Sequence, residues 1–381
     1  MTALLDTPPG LAAPLRSPAC WQDDDTAVLT CTAVSDVTHD VKNFVFEPVD
    51  DRVFVFEPGQ FLTLMLDIDG YPVNRCYTIS SPPTRPHRIA LTVKRVPDGR
   101  VSGWLYDHVV PGSKVTALAP LGAFTLPRQP AGRYLFLSAG SGITPLMSMT
   151  RTLYDLGSDA DVVFVHSART PADIVFRSEL AAIESMMPGL RVVHVCEHDY
   201  PSERWGGLRG RLTPDLLRTL VSDLHERATF TCGPVPYMES VRRILAELDY
   251  DPGRYREESF SFDDPAEPGG APPPEGVRYD EIAAPPPPED QPPVATYTVD
   301  FVRSGRSITC RADEFILDAA VAAGLRLASS CSQGLCGTCK VAKLSGEVEM
   351  THQGGIRPRE IAADKILVCC STPLSDVSID G

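Results

Sequence analysis

The sequence predicts a multidomain protein: an antiparallel β-barrel, then an α/β domain built on a parallel sheet, then a small α+β module beyond a linker. Three observations lead there. The 381 residues exceed one core's worth of chain, since domains run to roughly 100–200 residues each. Near Tyr134 the hydrophobic pattern changes from short strands broken by turns to strands alternating with helices. Asp263 to Pro293 holds eleven of the 36 prolines and eight acidic residues against one arginine, too little apolar content to fold. The implied limits are an N-terminal extension over 1–24, a barrel over 25–127, the α/β domain over 128–262, the linker over 263–293 and the last module over 294–381.

Barrel strands are expected at Val28 to Thr32, Val41 to Phe46, Phe61 to Leu66, Arg75 to Ile79, Ile89 to Val93 and Lys114 to Ala119. Pro58-Gly59, Asp69-Gly70, Pro97-Asp98-Gly99 and Pro111-Gly112 mark turns between them. The α/β domain has buried-strand runs at Tyr134 to Leu137, Val162 to Val165, Arg191 to Val195 and Thr229 to Thr231. Helical patterns lie around Phe176 to Met187, Pro214 to Leu220 and Val235 to Leu248, an alternation that calls for a parallel sheet. After the linker come strands at Tyr297 to Val302 and Ser307 to Cys310, a helix from Leu317 to Ala323, and a cysteine-rich loop. At about 3.1 Å per residue the linker spans up to roughly 90 Å.

A composition of 43% hydrophobic and 22% charged residues supports folded cores. The net charge of −15 disfavours binding to nucleic acid or to an anionic membrane surface. Met1 to Cys20 has no basic n-region or unbroken apolar run, so no signal peptide is expected. Gly140, Gly142 and Pro145 interrupt the least charged stretch, so no membrane span is expected either. Eleven cysteines without a secretory signal are expected to be free, catalytic or metal-binding, and the compartment to be the cytoplasm. A monomer is the default.

The most specific motif is Cys331-x4-Cys336-x2-Cys339, with Cys369 following after 29 intervening residues. This is the plant-type ligand spacing for a [2Fe-2S] cluster, in which four thiolates hold two irons. Gly334 and Gly337 suit a backbone that wraps the cluster and aims N–H groups at its sulfurs. A zinc site or unligated cysteines are the competing readings; a four-residue gap followed by one distant cysteine is unusual for zinc. Cys370 is the alternative to Cys369 as fourth ligand. The surrounding Ser330 to Cys339, Ser345-Gly346-Glu347-Val348 and Ile366-Leu367-Val368-Cys369 resemble plant-type ferredoxin, which implies a β-grasp domain.

In Arg75-Cys76-Tyr77-Thr78-Ile79-Ser80-Ser81, strand alternation puts Arg75, Tyr77 and Ile79 on one face and Thr78 and Ser80 near the opposite edge. The segment resembles the R-x-Y-[S/T]-x-x-S flavin motif of the ferredoxin–NADP⁺ reductase superfamily. That resemblance implies that Arg75 pairs with the flavin phosphate, Tyr77 packs on the isoalloxazine and Thr78 bonds near N5. Cys76 and Ser81 belong to the same flavin-binding segment. Gly99 to Leu105 offers N–H groups and the Ser102 hydroxyl at a helix start to a pyrophosphate, with Val101 beside it. Gly122-Ala123-Phe124 matches the glycine–aromatic turn that closes the flavin barrel. FAD is favoured on overall resemblance, with FMN the alternative.

Gly140-Ser141-Gly142-Ile143-Thr144-Pro145, between a strand and a helix, allows close approach of a pyrophosphate. Its G-x-G-x-x-P form, paired with Cys232-Gly233-Pro234, is similar to the superfamily's nicotinamide site. The resemblance implies that Thr144 and Cys232 stand beside the nicotinamide and that Glu258 and Phe260 lie by the flavin. Cys196-Glu197-His198-Asp199 puts acid near the adenine ribose and favours NADH, although Arg169 and Arg177 could hold a 2′-phosphate. His166, His194 and His198 are expected to be structural or surface residues.

The whole resembles a reductase with a flavin barrel, a nicotinamide domain and a fused [2Fe-2S] ferredoxin. The implied electron path runs from NADH through FAD and the cluster to an acceptor protein, with Thr78, Cys232 and Glu258 as the catalytic set. The acidic linker would let the ferredoxin dock and then swing outward. The nearest named branch is the reductase component of Rieske-type oxygenases, in particular those demethylating glycine betaine and similar quaternary amines. His39-Asp40-Val41-Lys42 and Gly59 to Leu64 support that branch. The reductase of the hybrid-cluster protein, or of another oxygenase, is the alternative; a redox sensor that never turns over is the alternative of a different class.

Overall fold

The computed structural model describes residues 21, 26–50, 52–97, 99–260, 294–325, 327, 334, 337, 339–352 and 355–380. Cys331, Cys336, the linker from 263 to 293, the N-terminal extension apart from Trp21, and the side chain of Phe260 lie outside them.

Strands β1 (Thr26–Thr38), β2 (Val41–Pro48), β3 (Phe61–Ile68), β4 (Tyr71–Thr78) and β5 (Ile89–Lys94), helix α1 (Arg100–His108) and strand β6 (Lys114–Leu121) form the first unit. Its sheet has the order β4-β3-β6-β1-β2-β5. Alternation turns Ala27, Leu29 and Cys31 of β1 inward, where they meet Phe44, Phe46, Leu62 and Leu64. The two edge strands meet where the chain leaves β4. Ile79 bridges to Leu91, the Ser80 N–H donates to the Ala90 carbonyl at 2.8 Å, and the Ala90 N–H donates to Ser81 Oγ at 2.9 Å. That seam closes the barrel.

The second unit runs through β7 (Arg133–Ala139), α2 (Ile143–Asp155), β8 (Asp161–Ala168), α3 (Arg177–Met186), β9 (Leu190–Cys196), β10 (Leu208–Arg209), α4 (Pro214–Leu220), β11 (Ala228–Pro234), α5 (Val235–Glu247) and β12 (Tyr255–Phe260). Its six strands pair in parallel in the order β10-β9-β8-β7-β11-β12. Near-continuous burial of β7, β8 and β11 follows from helices on both faces: α2 and α3 on one, α4 and α5 on the other. The Glu258 segment, expected only as a tail beside the flavin, is the sixth strand of this sheet.

After the linker, β13 (Thr296–Phe301), β14 (Arg306–Arg311), α6 (Ile316–Ala322), β15 (Lys340–Ser345), β16 (Val348–Met350), α7 (Pro358–Ala362), β17 (Lys365–Leu367), β18 (Ser371–Pro373) and β19 (Val377–Asp380) form the third unit. The main sheet has the order β14-β13-β19-β15-β17, and α6 packs Ile316, Leu317 and Ala320 into its core. No helix among the described residues is long and apolar enough to cross a membrane.

The barrel and the parallel sheet are bound at the barrel's seam. Arg151 of α2 is buried; its Nη1 donates to the Ser80 carbonyl at 2.5 Å, while Nε and Nη2 donate to the Glu179 carboxylate at 2.7 and 2.6 Å. One helical turn earlier, Ser148 Oγ donates to the Ser81 carbonyl at 2.8 Å. The Phe176 ring lies 4.6 Å beneath the Arg151 guanidinium, holding that phenylalanine in a left-handed conformation (φ 57°) at the start of α3. Arg151→Met strips Ser80 and Glu179 of their donors at once, and the expected loss is about 2–3 kcal/mol because Glu179 remains half exposed. Denaturation followed by flavin fluorescence should release the flavin at lower denaturant; an unchanged midpoint would show that the seam does not depend on this arginine.

Candidate functional site

At the end of β4, Tyr77 packs on the barrel core, while Thr78, Ile79 and Ser80 are all buried. The expected alternation stops at Thr78, where the strand ends, so Thr78 and Ser80 do not share an open edge. Arg75 pairs with Leu64 across β3, and Cys76 Sγ lies 3.3 Å from Thr63 Oγ1. Ser81, expected as a flavin contact, has its hydroxyl engaged by Ala90 and its carbonyl by Ser148.

Ser102 is also tied locally. Its Oγ accepts from the Val96 N–H at 3.1 Å and donates to the Gly99 carbonyl at 3.3 Å. A pyrophosphate at this helix would therefore be held by backbone N–H groups of the first turn, at Val101 and Ser102. The Phe124 ring packs edge-on against Phe230 with centroids 5.4 Å apart, in the core that joins barrel and parallel sheet. Its observed contact is packing between the units, a role that a glycine–aromatic turn read as a flavin motif does not reveal.

The nucleotide loop is built on a close approach. Gly142 lies so near β11 that a Cβ there would meet the Cys232 carbonyl oxygen at 2.3 Å. Gly140 turns with φ 53°, and Thr144 Oγ1 donates to the Ser141 carbonyl at 3.1 Å, which pins the loop to the start of α2. Pro145 is buried in the first turn of α2. Ser141 Oγ is buried with no hydrogen-bond partner among the described residues, and Glu258 Oε2 is likewise buried and unpartnered. A polar ligand at this edge would satisfy both, so the residues fit a nicotinamide nucleotide.

Cys232 and Glu258 face one another in register on β11 and β12, with Gly233 and Pro234 completing the turn into α5. Both side chains are fully buried. Burial pushes the Glu258 carboxyl up to about 8, so it is largely protonated at neutral pH. Burial, with Glu258 adding to it, pushes the Cys232 thiol well above its usual range. Further along the same cross-strand row, Ser138 Oγ lies 2.7 Å from His166 Nδ1. Burial lowers His166 to about 3 and His194 to about 4, which keeps both imidazoles neutral, as structural histidines should be.

Four arginines at the outer strand ends are each met by a carboxylate. Arg169 pairs with Asp173 at 2.8 Å and Asp40 at 3.7 Å, Arg177 with Glu203 at 2.9 Å, Arg209 with Asp199 at 2.6 Å and Arg211 with Glu197 at 3.1 Å. Asp40 comes from the barrel, where Lys94 also holds it at 3.0 Å.

In the third unit, Cys339 and Cys369 are buried together. The Gly334 N–H donates to Cys369 Sγ at 3.3 Å, whereas Cys370 Sγ donates to the Leu367 carbonyl at 3.6 Å. Cys369 is thus the sulfur that receives a backbone N–H, the environment suited to a cluster thiolate. Gly334 and Gly337 have φ of 67° and 72°, and a Cβ would meet Cys370 Sγ at 2.6 Å in the first and the Gly355 carbonyl at 2.6 Å in the second. Both glycines are required by the backbone. Gly337, Lys340 and Arg357 share one cleft with Thr63, Asn74 and Ala119 of the barrel, and Arg357 Nη2 donates to the Ala119 carbonyl at 3.5 Å.

Comparison with known proteins matches each unit separately. Residues 29–126 match an oxidoreductase FAD-binding domain, 136–243 an oxidoreductase NAD-binding domain and 300–374 a 2Fe-2S iron-sulfur cluster binding domain. The glycine betaine monooxygenase reductase subunit of Pseudomonas aeruginosa is 44% identical over 356 residues, covering 93% of this chain and 94% of that protein. The stachydrine N-demethylase reductase subunit Stc4 of Rhizobium meliloti is 40% identical over 361 residues, covering 95% and 98%. Among solved structures, phthalate dioxygenase reductase aligns with a TM-score of 0.55 at 24% identity over 93% of this chain and 98% of its own, a likeness of fold. With a flavin barrel, a nicotinamide sheet and a [2Fe-2S] module in that order, the chain belongs to the family of oxygenase reductase components that includes the glycine betaine monooxygenase reductase subunits.

Proposed function

We propose that this chain takes hydride equivalents from NADH and passes electrons singly to a Rieske-type oxygenase that demethylates a quaternary amine. It does so as a cytoplasmic monomer, with FAD in the barrel and a [2Fe-2S] cluster on Cys331, Cys336, Cys339 and Cys369. The acceptor class rests on the glycine betaine and stachydrine relatives. The observation that carries the reading is spatial. The nucleotide loop lies against Cys232, its helix grips the chain just past the flavin strand, and Gly337 shares a cleft with Asn74, next to Arg75 on that strand.

A bound flavin supplies the conversion between a two-electron donor and one-electron carriers. The chain's own residues set the geometry. Gly142 and Gly233 let the nucleotide loop and the Tyr237 ring pack closely around Cys232, whose small neutral thiol would leave room for the nicotinamide ring. Thr78 supplies a hydroxyl at the end of the flavin strand. Glu258 holds a proton at its carboxyl within the buried edge of the sheet, and Arg75 and the first turn of α1 bind the flavin's phosphates. Carboxylates on the arginines at the ribose end favour the free 2′-hydroxyl of NADH. We take the module limits as 25–127, 128–262 and 294–381.

Anaerobic titration of the purified protein tests the reading. NADH should bleach both the flavin bands and the broad cluster absorption, more readily than NADPH; cluster bands that stay oxidised while the flavin bleaches would break the proposed path. Cys369→Ser should abolish the cluster absorption, and Cys370→Ser should keep it with about two irons per chain; the reverse pattern would reassign the fourth ligand. Glu258 predicts a pH dependence of stability. Its folded pKa of about 8 exceeds the unfolded 4.5, so the folded state holds the extra proton between them. The contribution of Glu258 to stability should be greatest below about 4.5 and be lost as pH rises to about 8. Glu258→Gln should flatten that decline in the thermal midpoint; an equal decline in the variant would assign it to other groups.

A further inference from the structure

In an open parallel sheet a dinucleotide lies across the carboxyl ends of the strands. The pyrophosphate sits at the glycine turn of the first strand and the adenine ribose at the ends of the neighbouring strands. Here those ends are Ala168-Arg169 on β8 and Cys196-Glu197 on β9. The connection from β9 to β10 folds back at this edge. Tyr200 and Glu203 exchange backbone hydrogen bonds at 3.0 and 2.9 Å, and the Trp205 N–H donates to Asp199 Oδ1 at 2.7 Å.

Arg177, the first residue of α3, reaches into this loop. Its Nη1 lies 2.9 Å from Glu203 Oε1 and 3.0 Å from Oε2, and its guanidinium stands 5.4 Å from the centroid of the Trp205 ring. A guanidinium held over an indole and bonded through Nη1 to both oxygens of a carboxylate is placed where it could instead meet an anionic oxygen of a ligand. The carboxylate takes the phosphate's place. Arg177 and Glu203 are about equally half exposed, so their pairing contributes little to stability. The loop's own backbone bonds hold its shape, which allows Glu203 to be changed without unfolding it.

Resting on the NADH reading above, we propose that Glu203 is the residue that excludes NADPH: it occupies Arg177 and sets a negative charge where the 2′-phosphate would lie. A free ribose 2′-hydroxyl is neutral and can donate to the same carboxylate, whereas a phosphate can only accept and is repelled. Arg209 and Asp199 do not serve this purpose, because the Trp205 N–H and carbonyl already engage both.

The test uses the holoprotein, with isothermal titration of NAD⁺ and NADP⁺ beside kcat/KM for NADH and NADPH with ferricyanide as acceptor. In Glu203→Gln the preference for NAD⁺ over NADP⁺ should fall about tenfold, the size of one recovered charge-assisted contact. Adding Arg177→Gln should cancel that gain. An unmoved ratio in Glu203→Gln would overturn the proposal, as would a gain that survives loss of Arg177. If Arg204→Gln cancels the gain and Arg177→Gln does not, the exposed Arg204 holds the phosphate and the assignment to Arg177 fails. A wild-type protein that prefers NADP⁺ would instead overturn the NADH reading, whereas a wild type that prefers NAD⁺ with an unmoved variant would overturn only the role of Glu203.

Discussion

The contact on which the rest of the arrangement depends is the grip of α2 on the carbonyls of Ser80 and Ser81. Those two residues follow the end of the flavin strand and close the barrel against Ala90. The same helix begins at the nucleotide loop, with Gly142 against Cys232. One rigid element therefore runs from the flavin strand to the nicotinamide edge. Hydride transfer needs its two partners within van der Waals range, and a misplacement of about 1 Å is costly. A buried arginine held at three donors is well suited to that demand, because it fixes direction as well as distance.

The third unit is attached on different terms. Among the described residues, Arg357 Nη2 donates to the Ala119 carbonyl at 3.5 Å, and a polar cleft lies between Gly337, Arg357 and the barrel. A one-electron step tolerates more distance than a hydride transfer.

Much of this was legible in the sequence because strands and glycine turns are local. Each of the six barrel strands overlaps the span that periodicity and turn residues give it, and the strand–helix alternation of the second unit follows its pattern. The two cluster-loop glycines were readable for the same reason, since positive φ is a local demand. The parts that were not legible depend on partners distant in sequence. Ser81 looked like a ligand contact, and its carbonyl is engaged by Ser148 of α2, 67 residues further along. Phe124 faces Phe230, more than a hundred residues away. Tyr255–Phe260 mixes charged and aromatic residues and carries no strong strand signal, but β11 supplies its partner. Of Arg169 and Arg177, the sequence shows the charge but not the carboxylate opposite each.

The barrel's strand order also bears on the making of the protein. β6 is the last strand of its unit, yet it lies between β3 and β1. On the ribosome the β1–β2 and β3–β4 hairpins can each form as they emerge, but they stay separate sheets until residue 121 has been synthesised. The seam then waits again, because the Ser80 and Ser81 carbonyls have no α2 to bind until residue 151 follows. The first unit to be translated thus takes two of its contacts, at the Ser80 and Ser81 carbonyls, from the module after it.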